Sequence, residues 1–206
     1  MLALLRERLS GVRADTLLVC EHPPVLTIGR QGSRVNIRVA EEALHARGID
    51  VIDVERGGDI TFHGPGQLVA YPIFTLPAGR RNVKMFIRSV EQALVRTCRH
   101  FGAPACTIAG LTGVWIGPDD RGEQRTAWDG ECKVASLGFA FKAWTSYHGI
   151  ALNVACDLTA FDLIHLCGLR GKLAINLSEA AKQPLTVAAV APMFIATMRD
   201  LWHAYD

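Results

Sequence analysis

The sequence predicts one domain of the α/β (α+β) class, built on a largely antiparallel or mixed sheet. Three observations lead there. Strand-like and helix-like runs mix along the chain without the strict alternation that a parallel sheet requires. Half of the 206 residues are hydrophobic, which supplies a sizeable core and argues against disorder or a coiled coil. No repeat and no low-complexity linker divides the chain, so residues 1–206 are read as a single domain.

The chain opens on "MLALLRERLS", an amphipathic helix in which Arg6, Glu7 and Arg8 interrupt the apolar residues. No long apolar stretch with a cleavage site follows, so this is not read as a signal peptide. "DTLLVCEHPPVLTIGR" gives two strands around a Pro-Pro turn, the second ending at Gly29. "AEEALHARGID" is a short helix stopped by Gly48, and "VIDVERGG" a β-branched strand running into a glycine turn. After "LVAYPIF" comes the clearest helix. Asn82 is placed to cap it, Val83, Ile87, Val90, Leu94, Cys98 and Phe101 recur at three- and four-residue intervals, and Gly102 closes it. "GVWIG", "CKVASLGFAF" and "SYHGIALNV" are strand-like, with a polar loop between the first two. "FDLIHLCGLRG" is an apolar segment ending in a glycine turn, and a last helix is expected from about Pro192, in its first turn, through Trp202.

A net charge of +2 is too small to argue for nucleic acid. No apolar run reaches the length of a membrane span. Cys20, Cys98, Cys106, Cys132, Cys156 and Cys167 are scattered, with no CxxC pair and no histidine spaced for zinc. Free thiols in a reducing cytoplasm are therefore expected, most of them buried as small hydrophobes.

The most informative stretch is "RGGDITFHGPGQLVAYPI", Arg56 to Ile73. Gly57, Gly58, Gly64 and Gly66 let a ligand or another strand approach the backbone closely. Arg56, Asp59, Thr61, His63 and Gln67 set donors and acceptors beside them. No helix follows, so a dinucleotide fingerprint is excluded, and no Gly-Lys-Ser/Thr marks a phosphate loop. Two readings stand: a hairpin with a polar tip, or a binding cradle built mostly of backbone.

Lys133 interrupts an apolar strand. It is either an edge-strand charge or a partly desolvated amine facing a pocket, able to steady an anion and move a proton. Cys167 lies beside Gly168 with Arg170 and Lys172 close in sequence; it is either a buried structural thiol or one whose pKa a nearby cation lowers. Cys132, next to Lys133, should point to the opposite face of its strand. Cys98 falls on the helix stripe and belongs to the core. His148 serves either a site or a core hydrogen bond. Ser136 lacks a nucleophile elbow, and no carboxylate pair or metal-ligating cluster stands out.

Taken in order, "EHPPVLTIGR", "RGGDITFHGPGQLVAYPI", "TGVWI", "KVASLGF", "YHGIALNV" and "FDLIHLCGLRG" resemble the lipoyl(octanoyl) transferase family, from about residue 17 to about 180. The resemblance implies a biotin/lipoate protein ligase-like fold, a mixed sheet flanked by helices. It implies transfer of an octanoyl group from octanoyl-acyl carrier protein to a lysine of lipoyl domains. Those acceptors are the E2 subunits of 2-oxo acid dehydrogenases and the glycine cleavage H protein. It implies a thioester on Cys167, with Lys133 as its paired lysine. Substrate contacts then fall on Arg56, Gly57, Gly58, Asp59, Ile60, Thr61, Phe62 and His63, on Ser136, Leu137 and Gly138, and on Gly149, Ile150 and Ala151. No metal or cofactor is implied, since thioester chemistry drives the transfer, and a cytoplasmic monomer with no nucleic-acid or membrane partner is expected. The chain departs from the family at Leu166, where proline usually precedes the cysteine, and at "AINLSE", where a Thr-Ser pair is common.

An ATP-dependent lipoate or biotin ligase on the same fold is the nearest rival; a non-catalytic acyl-binding protein is the rival of another class. Arg80, Arg81, Lys84 and Arg88 form either a docking patch for an acidic carrier or a solvated helix start.

Overall fold

The computed structural model describes residues 1–205 except 118–123, 126–129 and 166–173, with the backbone alone at 124 and 125. In chain order the elements are α1 (Leu2–Leu9), β1 (Thr16–Cys20), β2 (Val25–Ile28), α2 (Glu41–His45), β3 (Asp50–Asp53), β4 (Ile60–His63) and β5 (Gln67–Ile73). There follow α3 (Val83–His100), β6 (Ala105–Ile108), β7 (Leu111–Ile116), β8 (Gln124–Arg125), β9 (Cys132–Lys142), β10 (Thr145–Asn153), α4 (Leu177–Ala180) and α5 (Val187–Tyr205).

Two sheets result. The large one runs β1-β5-β10-β9-β7-β6-β8 and the small one β3-β2-β4. The large sheet is antiparallel from β1 to β6, and only β8 joins it in parallel. In the small sheet β2 runs parallel to β3 and antiparallel to β4. The mixed sheet expected from sequence is therefore present, split in two. β4 and β5 belong to different sheets, so the glycine-rich stretch between them is a crossover and not a hairpin tip. Its Gly66, at φ +81, has no room for a side chain: a Cβ would stand 2.4 Å from the Ala155 carbonyl oxygen.

The core sits between the large sheet and helices α3 and α5. Asn82 caps α3 as its sequence foretells, its Oδ1 accepting from Met85 N at 3.1 Å, and Gly102 follows the helix at φ +86. The buried stripe is shifted from the expected one. Phe86, Val90, Leu94 and Cys98 are buried, while Val83 and Ile87 lie at its margin. Phe86 draws the face round because its ring meets those of Phe139, Trp202 and Tyr205 edge-on. The last helix starts earlier than expected, at Val187, with Pro192 inside it. Thr186 supplies the N-terminal partner, its Oγ1 accepting from Ala189 N at 3.2 Å. The burial of Val190, Phe194, Met198 and Trp202 on one stripe outweighs the hydrogen bond that the proline removes.

Candidate active site

Strand alternation gives the large sheet a second face. There Cys20, Val69, Tyr71, Ala151 and Ser136, from four neighbouring strands, look across a cavity of about 710 Å³ toward Thr27 and His63 of the small sheet. That volume is typical of small-molecule sites.

One wall is the turn from Arg56 to Asp59. Backbone bonds hold it on two sides. Gly29 N donates to Asp59 O at 2.9 Å, Arg30 N to Arg56 O at 3.0 Å, and Gly57 N to Phe139 O of β9 at 2.9 Å. Gly138 must be glycine for this approach, since a Cβ would stand 2.9 Å from Gly57 O and 3.1 Å from Arg56 Cδ. Asp59 receives Asn36 Nδ2 at 2.7 Å and Ile60 N at 2.7 Å. Arg56 is 8% exposed and its guanidinium binds inward, to Thr27 O at 2.6 Å, Thr27 Oγ1 and Gly57 O. Burial lowers its pKa to about 10, so it stays a cation at neutral pH.

His63 forms part of a closed chain of hydrogen bonds. Gln67 Nε2 donates to Asn153 Oδ1 at 3.0 Å and to Phe62 O at 3.2 Å, which leaves Gln67 Oε1 to accept from His63 Nδ1 at 2.8 Å. His63 Nε2 is then the acceptor for Thr27 Oγ1 at 3.3 Å. This assigns the neutral Nδ1-protonated tautomer from the network. Burial above all, then the Arg56 charge, push the His63 pKa down to about 4 against the pull of the Gln67 bond. His148, opposite, is brought to about 4 by burial and Arg56; its backbone is left-handed at φ 56, a costly conformation for a non-glycine residue. His22 Nε2 meets Tyr71 OH at 2.7 Å, and burial raises Tyr71 to about 12. His63 and His148 are therefore neutral near pH 7, and burial lowers the pKa of His22 as well.

Lys133 lies at the other end. Its Nζ is 5.1 Å from the Trp115 ring centroid, a cation–π placement. Its arm passes over Gly113, where a Cβ would stand 2.5 Å from Lys133 Cε. Cys132 does not line the cavity, as alternation requires.

Of the residues expected at the site, Arg56, Gly57, Gly58, Asp59, Ile60, Thr61, His63, Lys133, Ser136, Leu137, Gly138, Gly149, Ile150 and Ala151 all line this cavity. Phe62 does not: it turns into the core beneath the small sheet, edge-on to Phe161. Cys167 and Leu166 lie outside the described residues. The described chain stops at His165, whose N–H donates to Asn36 O at 2.7 Å. It resumes at Ala174, bridged to Lys133. Ala174 lines the cavity beside Lys133. Tyr71, His22, Thr27 and Asn153 also line it and went unmarked in the sequence reading. Tyr71, Thr27 and Asn153 are each one polar residue in an apolar run, which was the available signal; His22, between Glu21 and two prolines, carried none. Among the described residues no cluster of three or more metal-ligating side chains occurs, and no helix is long and apolar enough to cross a membrane.

The basic cluster is placed elsewhere. Arg80 binds Ala204 O at 2.7 Å, and Arg81 stacks over Trp144, 5.5 Å from its centroid, in the turn after β9. Lys133 is at the start of β9, and at about 3.3 Å per residue the length of that strand, about 30 Å, separates them.

The family model for the lipoyl protein ligase A/B catalytic domain matches residues 1–199. The chain belongs to this family. Two curated relatives in it are octanoyltransferases. One, from Maridesulfovibrio salexigens, is 38% identical over 190 residues, covering 92% of this chain and 83% of that protein. One from Acidobacterium capsulatum is 42% identical over 189 residues, covering 88% and 74%. The fold is that of the lipoate protein ligases. The bipartite ligase of Thermoplasma acidophilum superposes with a TM-score of 0.73 at 17% identity, over 97% of this chain and 77% of that one. A lipoate-protein ligase A bound with ATP gives 0.71 at 17% identity, over 92% and 73%.

Proposed function

We propose that this chain is an octanoyltransferase, moving an octanoyl group from octanoyl-acyl carrier protein to the lysine amine of a lipoyl domain. The observation that carries the reading is the cavity between the sheets, walled by the Arg56–Asp59 backbone, apolar side chains and neutral polar groups, with Lys133 and its bridge partner Ala174 both lining it. Each methylene of an acyl chain buried there gains about 0.8 kcal/mol, so eight carbons bind through their length and not through a charged head.

In the first step the Cys167 thiolate attacks the carrier thioester; the new C–S bond forms as the carrier's sulfur leaves and takes a proton. In the second the acceptor amine attacks the Cys167 thioester, an amide forms, and the thiolate is regenerated as the amine gives up its proton. Lys133 steadies the thiolate and hands the proton between these groups. The acceptors are the lipoyl domains of 2-oxo acid dehydrogenase E2 subunits and the glycine cleavage H protein. The enzyme acts as a monomer in the cytoplasm, where its thiols stay reduced.

Intact-protein mass spectrometry after incubation with octanoyl-carrier protein tests the scheme. One octanoyl adduct is expected, mapped to Cys167, absent in Cys167→Ala and retained in Cys132→Ala. An adduct that survives Cys167→Ala would refute the assignment, and ATP–pyrophosphate exchange with octanoate or lipoate would favour a ligase.

A further inference from the structure

Behind Lys133 lies a carboxylate that the scheme above leaves unused. Glu91 sits midway along α3 on its core-facing side and is 7% exposed. Burying an ionised carboxylate costs several kcal/mol before its partners act, so its bonds matter. Its Oε1 accepts from Gly113 N of β7 at 2.8 Å. The charged groups bearing on it are Lys133 from β9 and Arg88 from its own helix; with the Gly113 N–H they oppose the upward push of burial on its pKa.

Gly113 is no ordinary strand residue. It stands at φ +132, and the register between β7 and β9 shifts just after it, between Val114 and Trp115. A side chain there would collide with Lys133 Cε at 2.5 Å and Ala135 O at 2.9 Å. The extra residue of the register shift is Val134, so the bulge is in β9, next to Lys133 itself. The lysine arm rests on bare β7 backbone across from it, and bulges commonly re-aim a side chain beside an active site. The Gly113 amide at that resting point is the one Glu91 holds.

We propose that Glu91 is a positioning residue for Lys133. Its carboxylate fixes the stretch of β7 on which the lysine arm lies, across from the β9 bulge, and sets a negative charge against the ammonium. This rests on the role given to Lys133 above. It differs from a plain helix-to-strand tie, which would support the fold without reference to the lysine.

The test is a set of mutant cycles in the full chain. Glu91→Ala, Glu91→Gln and Gly113→Ala are each assayed for octanoyl transfer across pH, alone and with Lys133→Met. Glu91→Ala and Gly113→Ala are expected to lower kcat by about 10²-fold through displacement of the amine, with the carrier KM held within about twofold. Glu91→Gln keeps an acceptor for the Gly113 amide but drops the charge, so the basic limb of its kcat–pH profile should move to lower pH. None of the three should cost anything further in the Lys133→Met background, because residues acting as one unit do not add. Should Glu91→Ala not fold, the limb shift of Glu91→Gln and its loss with Lys133→Met decide the matter. Equal costs in the presence and absence of Lys133, or a Glu91→Gln profile identical to wild type, would overturn the proposal and leave Glu91 as a core tie. A Lys133→Met enzyme at wild-type rate would remove the parent reading along with it.

Discussion

On the helix side of the large sheet, Leu68, Ala70, Val114 and Leu152 meet Phe86, Leu94, Phe194 and Met198, all fully buried. On the opposite side, alternate residues of the same strands (Val69, Tyr71, Ala151 and Ser136) look into a cavity lined across from them by Thr27 and His63. One backbone thus serves two environments. The first face is filled by interlocking rings and aliphatic chains. The second stays open because glycines bring the Arg56–Asp59 backbone in as a wall, and because the polar side chains of the other wall bond to one another. Stability should draw mainly on the first face and chemistry on the second, so substitutions should sort by face.

The largest effect is expected on the cavity face. Lys133→Met keeps most of the apolar stem but takes a cation from Trp115 and the buried Glu91, so the urea midpoint should fall by less than in Phe86→Ala. Octanoyl transfer should fall by the roughly 10²–10⁴-fold typical of a lost acid–base group. A loss of stability matching the loss of rate would mean the two faces are not separable at β9. Phe86→Ala is the mirror experiment. Removing a ring packed against four others should cost about 3–5 kcal/mol of unfolding free energy, read by denaturant titration. The kcat of the folded fraction should stay within about twofold.

Acid gives the next effect. His63 titrates near 4 when folded but near 6.5 in an unfolded chain. The unfolded chain therefore takes up the proton first. The stability linked to His63 is complete above about pH 6.5 and is lost as pH falls toward about 4, on the order of 3 kcal/mol. Urea unfolding between pH 7.5 and pH 4.5 should show this decline, and His63→Gln should flatten it. The smallest effect concerns neither face. Reversing Arg81 and Lys84 to glutamate should leave the carrier KM unchanged within about twofold, because that cluster stands about a full strand length from Lys133. A raised KM would instead place the carrier across the far end of β9.

Much of the packed face was legible in sequence because its signals are local. Asn82 and Gly102 bracket one helix and each does what its position implies. Val90, Leu94 and Cys98 of the stripe between them are buried as expected, while Phe86 takes the place of Val83 and Ile87. Pro192 misled the reading for the same reason: a proline locally favours a first turn, while the burial that carries α5 back to Val187 is set by partners far away in sequence. The cavity face was legible only where it is made of backbone. Glycines at 57 and 58 announced close approach, while the need for glycine at 138 became visible only in the structure. His22 and Tyr71 meet across two strands, and nothing near either residue foretells the other. Glu91 carried a faint sign, a charge beside Val90 and Leu94 on a core-facing stripe, but the amide it serves belongs to a later strand. The assignment of Cys167 came from the family resemblance, and that residue lies outside the described part of the chain.

The crossovers into and out of the small sheet have a consequence for motion. β1 and β5 are neighbours in the large sheet, and residues 21–66, which form the small sheet, leave after one and return before the other. The two crossings are tied side by side, Gly66 N donating to Glu21 Oε2 at 2.7 Å. The roof of the cavity is therefore an excursion that begins and ends at one knot. Beyond the knot, few ties between described residues join it to the rest, Gly57 N on Phe139 O and the Ile37–Ile164 bridge among them. The amides of β2 and β4 are therefore expected to exchange with solvent sooner than those of the β1–β5 ladder.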